Sequence, residues 1–270
     1  MNINAPVRHG LQPTAALSVE TVLSVQHWNE FLFSFSLSRP QSFRFRSGEF
    51  VMLGLPGEAK PILRAYSVVS PSWADHLEFL SIKVPDGPLT SRLQKITAGD
   101  AVYLGRKPTG TLVADALLPG ARLFLLSTGT GLAPFMSLIR DPEIYERFRE
   151  IVLVHSVRQV SDLAYRAELE SRLSDDEFIG PLAKDQLIYR PTVTREAFPT
   201  QARIGDLIES GAIFDGVSGA ASFNPAIDRV MLCGSMAMIK ELADRFESLG
   251  FEEGSNAKPG QFVIERAFVG

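Results

Sequence analysis

Four short stretches gather the side chains of this sequence that could do chemistry. Arg64-Ala65-Tyr66-Ser67 puts a guanidinium, a phenol and a hydroxyl within four residues. On an extended strand Arg64 and Tyr66 would share one face and Ser67 would take the other. The guanidinium fork suits a pyrophosphate, the phenol ring a stacked aromatic, the hydroxyl a ring nitrogen. Gly87-Pro88-Leu89-Thr90-Ser91 reads as a turn into a helix start, where unpaired backbone N–H groups and two hydroxyls can meet phosphate. Ser127-Thr128-Gly129-Thr130-Gly131-Leu132-Ala133-Pro134 follows an apolar run and opens a helical pattern, so its glycines would let a nucleotide approach the backbone. It is neither Gly-x-Gly-x-x-Gly, because Pro134 stands at the third glycine, nor a Walker A loop, because no Lys-Ser/Thr follows. Cys233-Gly234-Ser235 closes another apolar run. Taken singly, each stretch also reads as ordinary structure: a strand edge, a capped helix, a tight turn, a small buried thiol.

Composition narrows what these residues can serve. One cysteine among 270 residues excludes an intramolecular disulfide, a four-cysteine zinc site and an iron–sulfur cluster held by this chain's own thiolates. No metal site is expected, and electron transfer would need another cofactor. With 27 basic and 31 acidic side chains the net charge is −4, which argues against nucleic acid as a partner. No apolar run approaches the roughly 18 residues of a membrane span, and the first ten residues lack the apolar core of a secretory signal. A cytoplasmic protein is expected.

The elements that must position these residues change rhythm along the chain. From Val19 to Leu104, short runs alternate apolar and polar residues between turn signals such as Ser47-Gly48, Pro56-Gly57 and Asp86-Gly87. Phe31, Phe33, Phe35 and Leu37 point one way if strand, and further strands are predicted at 43–45, 50–55, 66–69, 77–84 and 101–104. This predicts an antiparallel barrel or sandwich, with a short helix over 89–96. After Leu117-Leu118-Pro119-Gly120 strands and helices alternate. Strands are predicted at 122–126, 151–155, 187–190 and 229–233, and helices at 133–140 and 161–173. A last helix has Ser235 as N-cap, Ile239, Leu242, Phe246 and Leu249 on one face, and Gly250 as terminator. Such alternation predicts a parallel sheet covered by helices. Residues 1–117 carry 11 basic and 9 acidic side chains, residues 118–270 carry 16 and 22.

The four stretches in this order resemble the ferredoxin–NADP reductase family of flavoenzymes, in its bacterial branch, over the chain from about Val19 to its last residue. The resemblance implies an antiparallel Greek-key β-barrel that binds FAD (14–117), followed by an α/β domain with a five-stranded parallel sheet that binds NADP(H) (118–270). By position it implies FAD contacts from Arg64, Ala65, Tyr66, Ser67, Leu80, Ile82, Lys83, Val84, Leu89, Thr90, Ser91 and Thr130. Arg64 would hold the pyrophosphate, Tyr66 would stack on the isoalloxazine and Ser67 would lie near flavin N5. NADP contacts would come from Thr128, Gly129, Gly131, Cys233 and Gly234, with Cys233 beside the nicotinamide. Arg158, Arg195 and Arg203 fall where the family reads the 2′-phosphate, and no acid directly follows the strand 151–155 to favour NAD. The family's plastid members end in Glu-x-Tyr. Here Glu265-Arg266-Ala267 puts a small residue over the flavin, and Phe268-Val269-Gly270 would extend toward the adenine. Ser67, Cys233 and Glu265 are the implied catalytic residues; Glu265 would relay a proton or hold the nicotinamide amide.

The function so implied is transfer of electrons between NADPH and a one-electron carrier, ferredoxin or flavodoxin, by a monomer. Acidic carriers would dock on Arg44, Arg46, Lys60, Arg92, Lys95, Arg106 and Lys107, each of which also reads as a solvated surface charge. Two alternatives stay open: a reductase component serving an oxygenase, and a flavin module that senses redox state without turnover.

Overall fold

A computed structural model describes residues 10–265 of the chain. The chain divides after Gly110, and each unit is built on its own sheet. The first contains β1 (Leu17–His27), β2 (Leu32–Ser38), β3 (Phe50–Leu55), β4 (Ile62–Ser67), β5 (His76–Ile82), the four-residue helix α1 (Thr90–Leu93) and β6 (Ala101–Gly105). All neighbours in the order β4-β3-β6-β1-β2-β5 are antiparallel. The sheet curls until its two edges meet, Val68 bridging Phe79 just past the end of β4. What drives the curl is the alternation: Phe33, Phe35 and Leu37 of β2 enter one core with Val51, Leu53 and Leu55 of β3 and with Phe79 of β5. Phe31 departs from that pattern. It precedes the strand and is exposed, leaving three aromatic or apolar residues of β2 inside rather than four.

The other side of β2 is covered as well. Ser34 accepts from the Trp28 indole at 3.2 Å, and Ser36 pairs with Ser24 at 2.7 Å. Two further expectations need correction. Residues 43–45 form no strand, yet Phe43 and Phe45 are buried in the barrel core. The loop is stitched by Arg39, which lies 5.1 Å from the Phe45 ring centroid and donates to the carbonyls of Phe43, Ser72 and Ala74. The helix predicted over 89–96 spans only Thr90–Leu93, because the chain turns at once into a loop that Asp100 ties down by accepting from the Thr97 N–H.

The second unit has five parallel strands: β7 (Arg122–Thr128), β8 (Glu150–Val157), β9 (Leu187–Val193), β10 (Asp228–Cys233) and β11 (Phe262–Ile264). Six helices connect them: α2 (Leu132–Ile139), α3 (Pro142–Arg147), α4 (Arg166–Glu170), α5 (Ile179–Gln186), α6 (Ile204–Glu209) and α7 (Met236–Ser248). The order β11-β10-β7-β8-β9 means that the chain leaves β7 toward one edge and returns to its other side as β10. β7 and β10 are buried on both faces, hence their unbroken apolar runs. At their N-terminal ends a buried ion pair, Arg122 with Asp228 at 2.5 and 2.8 Å, also gathers the carbonyls of Ser218, Ala220 and Ser222.

α7 begins as the sequence predicts, the Ser235 hydroxyl accepting from the Met238 N–H, and buries Ile239, Leu242 and Phe246; Leu249 lies past its end and is exposed. The predicted helix over 161–173 is broken up. A 3-10 turn (Val160–Asp162) precedes α4, and Tyr165, Arg172 and Leu173 adopt left-handed backbone. Leu163, Tyr165, Leu169 and Leu173 are all buried there, so packing overrides the helical period. Among the described residues no helix is long and apolar enough to cross a membrane, and no group of three or more His, Cys, Asp or Glu residues is arranged to hold a metal.

Candidate functional site

Each unit carries a candidate site of its own. In the barrel it lies where β4 ends. Arg64 is exposed, its guanidinium resting on the Leu63 carbonyl at 2.9 Å, and Ala65 is half-buried. Tyr66 packs into the barrel edge-on to Phe35 and Phe79, and its hydroxyl meets Ser81 Oγ at 3.2 Å; burial raises its pKa. Ser67 is buried, and its Oγ has no hydrogen-bond partner. A buried hydroxyl left so costs free energy unless a ligand satisfies it.

Beside it runs the segment after β5. Leu80 is buried, Ile82 and Val84 are exposed, and Lys83 is held by its ammonium on the Asn29 carbonyl at 2.7 Å. Thr90 donates its hydroxyl to the Val84 carbonyl, and Ser91 its amide to Gly87, so the turn is closed on itself. Leu89 anchors it in the core. The amides of Leu89 and Thr90 have no acceptor among the described residues. Together these groups offer a cation, a hydroxyl pair and free N–H donors around an apolar lining: the donor set of a flavin nucleotide.

A basic cleft adjoins this site. Arg44, Arg46, Arg106 and Lys107 line a cavity of about 460 Å³ with Phe45, Glu49 and Pro108; Glu49 is spent on Arg46 at 2.9 Å. Phe50, which follows Glu49, pairs with Ser67 on one side and with Thr109 on the other. Glu49 of the cleft accepts from the Val68 N–H at 3.1 Å, so the cleft and Ser67 belong to neighbouring positions of one sheet. Lys60, Arg92 and Lys95 are not part of it.

The candidate site of the second unit is the switch point of the parallel sheet, where β7 and β10 end side by side and connect to opposite directions. Here two loops touch backbone to backbone. A Cβ on Gly131 would collide with the Cys233 carbonyl and lie 2.8 Å from Gly234 N. One on Gly234, whose φ is +145°, would collide with Thr128 Oγ1 and lie 2.8 Å from Thr128 N. Glycine is required at both positions. The Thr128 hydroxyl also accepts from Ser235 N–H at 2.8 Å, so it serves as the bolt between the loops. Beside this contact Gly129 is exposed and Thr130 half-buried.

Cys233 is fully buried, and its thiol is pushed up by desolvation and then by the Glu265 carboxylate, so it is present as S–H. Glu265 is buried, its amide donating to Leu232 at 3.1 Å. Arg158 and Arg195 are exposed at the ends of β8 and β9, and the Arg195 amide donates to the Arg158 carbonyl at 2.9 Å, which puts the two side by side. Arg203 is exposed at the N-cap of α6. None of the three forms an ion pair with another described residue. Ala267 and Phe268 lie outside the described residues.

Sequence reasoning overlooked His155. It sits inside β8, 1% exposed, with Nε2 3.1 Å from the Gly129 carbonyl. The available signal was a lone histidine inside the run Ile-Val-Leu-Val-His-Ser-Val directly beneath the glycine turn.

Known proteins match both halves. Residues 16–113 match the oxidoreductase FAD-binding domain and residues 125–244 the oxidoreductase NAD-binding domain. A ferredoxin–NADP reductase of Azotobacter vinelandii is 53% identical over 254 residues, covering 94% of this chain and 98% of that protein. A flavodoxin/ferredoxin–NADP reductase of Rhodobacter capsulatus is 54% identical over 252 residues, 93% of each. Among solved structures, a ferredoxin NADP+ reductase from Neisseria gonorrhoeae with bound FAD and NADP superimposes with a TM-score of 0.83 at 32% identity, covering 93% of this chain and 99% of that one.

Proposed function

The chain belongs to the bacterial-type ferredoxin/flavodoxin–NADP reductases, and from that premise we propose how its residues divide the reaction. It moves electrons between NADPH and a one-electron carrier by way of FAD. Bound FAD supplies the exchange between a hydride and single electrons, which no side chain here performs. The observation that carries the assignment of residues is the buried, partnerless Ser67 hydroxyl at the end of β4.

On this reading Ser67 hydrogen-bonds the reactive edge of the flavin. Arg64, Thr90, Ser91 and the free amides of Leu89 and Thr90 bind its phosphates. Ala65, Tyr66, Leu80, Ile82, Lys83, Val84 and Leu89 line the remainder, Tyr66 as a largely buried wall. The FAD half is taken as 14–117 and the NADP half as 118–270, with residues 111–117, which lie past the division after Gly110, as the connection between them. In the latter the turn Thr128–Gly131 and Gly234 receive the nicotinamide nucleotide. The protonated Cys233 thiol packs against it as a small neutral group, and Glu265 holds the carboxamide or a proton. Arg158 and Arg195, aligned by their backbone bond, take the 2′-phosphate with Arg203, which selects NADPH over NADH.

The carrier is ferredoxin or flavodoxin, and the cleft of Arg44, Arg46, Arg106 and Lys107 receives its acidic face. We assign the protein to the cytoplasm and to a monomeric state. The test is direct. The purified protein should be yellow with a flavin spectrum, and should reduce ferricyanide with NADPH far faster than with NADH. It should pass electrons to ferredoxin or flavodoxin at a rate that falls as salt rises. A colourless protein, or equal rates with both nucleotides, would overturn the scheme.

A further inference from the structure

We propose that His155 is a positioning residue for the nicotinamide nucleotide: from inside the sheet its imidazole fixes the peptide that joins Gly129 to Thr130. The proposal rests on the reading that the turn Thr128–Gly131 receives that nucleotide.

The hydrogen bond determines the chemistry of the ring. A carbonyl oxygen only accepts, so Nε2 carries the proton and donates to Gly129 at 3.1 Å. Nδ1 is then a bare acceptor, and it is buried with no partner. The neighbouring Ser127 hydroxyl is spent on the Val154 carbonyl at 2.9 Å. A leucine or phenylalanine at 155 would avoid an unsatisfied buried nitrogen, since such a group is costly. What the imidazole adds in exchange is one bond, to the glycine turn.

That bond acts on the part of the turn that otherwise has only a local brace, the Leu132 N–H of the same 3-10 turn. Gly131 is seated against Cys233, and Thr128 is bolted to Ser235. Gly129 between them is exposed, has a φ of +55°, and has open space around the position of a Cβ. Its carbonyl accepts from Leu132 N–H within the 3-10 turn and from His155 within the sheet. In a planar trans peptide the next N–H points opposite to the carbonyl. Drawing the Gly129 carbonyl down toward β8 therefore turns the Thr130 amide outward. That amide has no acceptor among the described residues and is free for a ligand.

The test compares His155→Leu, which deletes the donor, with His155→Gln, whose amide reaches the Nε2 position, and His155→Asn, whose amide falls short of it. In stopped flow, flavin reduction by NADPH should slow about 10- to 100-fold in the Leu and Asn variants through weaker binding and misplacement. The isotope effect with C4-deuterated NADPH should rise in both. Reoxidation of the photoreduced enzyme by ferricyanide should be unchanged, and the Gln variant should recover most of the loss. Equal slowing of both half-reactions, or no difference between Gln and Leu, would overturn the proposal. If the Leu variant fails to fold, the Gln–Asn difference decides alone. Gly129→Val separates the two levels: if it leaves reduction by NADPH intact, the reading of the turn fails. If it abolishes reduction while the His155 variants do not, only the role of His155 fails.

Discussion

Replacing Ser67 by alanine should move the stability of the flavin-free protein and the rate of the flavin-loaded enzyme in opposite directions. Ser67 is 4% exposed and its hydroxyl has no partner among the described residues, and an unsatisfied buried polar group costs about 1–3 kcal/mol. Alanine keeps the Cβ and loses only the contacts of one oxygen, a few tenths of a kcal/mol at ~0.1–0.2 per contact. A net gain of about 1 kcal/mol should raise the melting temperature of a unit of roughly one hundred residues by about 4–8 °C. In the loaded enzyme the same change removes a hydrogen bond to the reactive edge of the flavin. If that bond is worth ~1.4 kcal/mol more in the transition state, hydride transfer slows about tenfold. Thermal melts of FAD-stripped protein and stopped-flow bleaching of the flavin by NADPH read the two effects separately. A flavin-free variant less stable than the parent would mean that the hydroxyl has a partner in the free protein, and the argument from its isolation would fall.

Three more outcomes can be measured independently. Arg158→Ala and Arg195→Ala should each raise the KM for NADPH about tenfold while leaving that for NADH near its parent value, since a charge-assisted bond is worth ~1.5–3 kcal/mol before the discount for exposure. Burial lowers the pKa of His155 from 6.5 to about 4. Its contribution to stability is therefore complete above pH 6.5 and is lost as pH falls through about 4, by ~3 kcal/mol in all; acid titration of His155→Gln should lack this limb. Asp228→Asn leaves Arg122 buried opposite a neutral group and should cost about 3–5 kcal/mol by urea denaturation, with flavin binding to the barrel retained.

Much of this was legible because the chemistry sits at chain reversals, where residue type is constrained. Arg64-Ala65-Tyr66-Ser67 ends a strand, and the glycines at 131 and 234 mark a contact that admits no side chain. The alternation in β2 was visible too, apart from Phe31, which a period of two cannot tell from a residue just outside the strand. The region 160–173 was not legible. Its apolar spacing suits a helix, but Tyr165, Arg172 and Leu173 adopt left-handed backbone, the first and last of them buried, and no local pattern encodes that. His155 escaped notice for a related reason: its partner lies 26 residues earlier in sequence, in the turn that follows the neighbouring strand. The clustering of Arg44 and Arg46 with Arg106 and Lys107, without Lys60, Arg92 and Lys95, likewise needs the barrel to close before it exists.

The strand order also sets a timetable for synthesis. The barrel has its last strand once Gly105 has been made, whereas β7 gains its second neighbour only when Cys233 has. At about 5–20 residues per second that gap of 128 residues lasts roughly 6–26 s on the ribosome. During this interval the flavin half can be folded while the pyridine-nucleotide half still lacks one wall of its crevice.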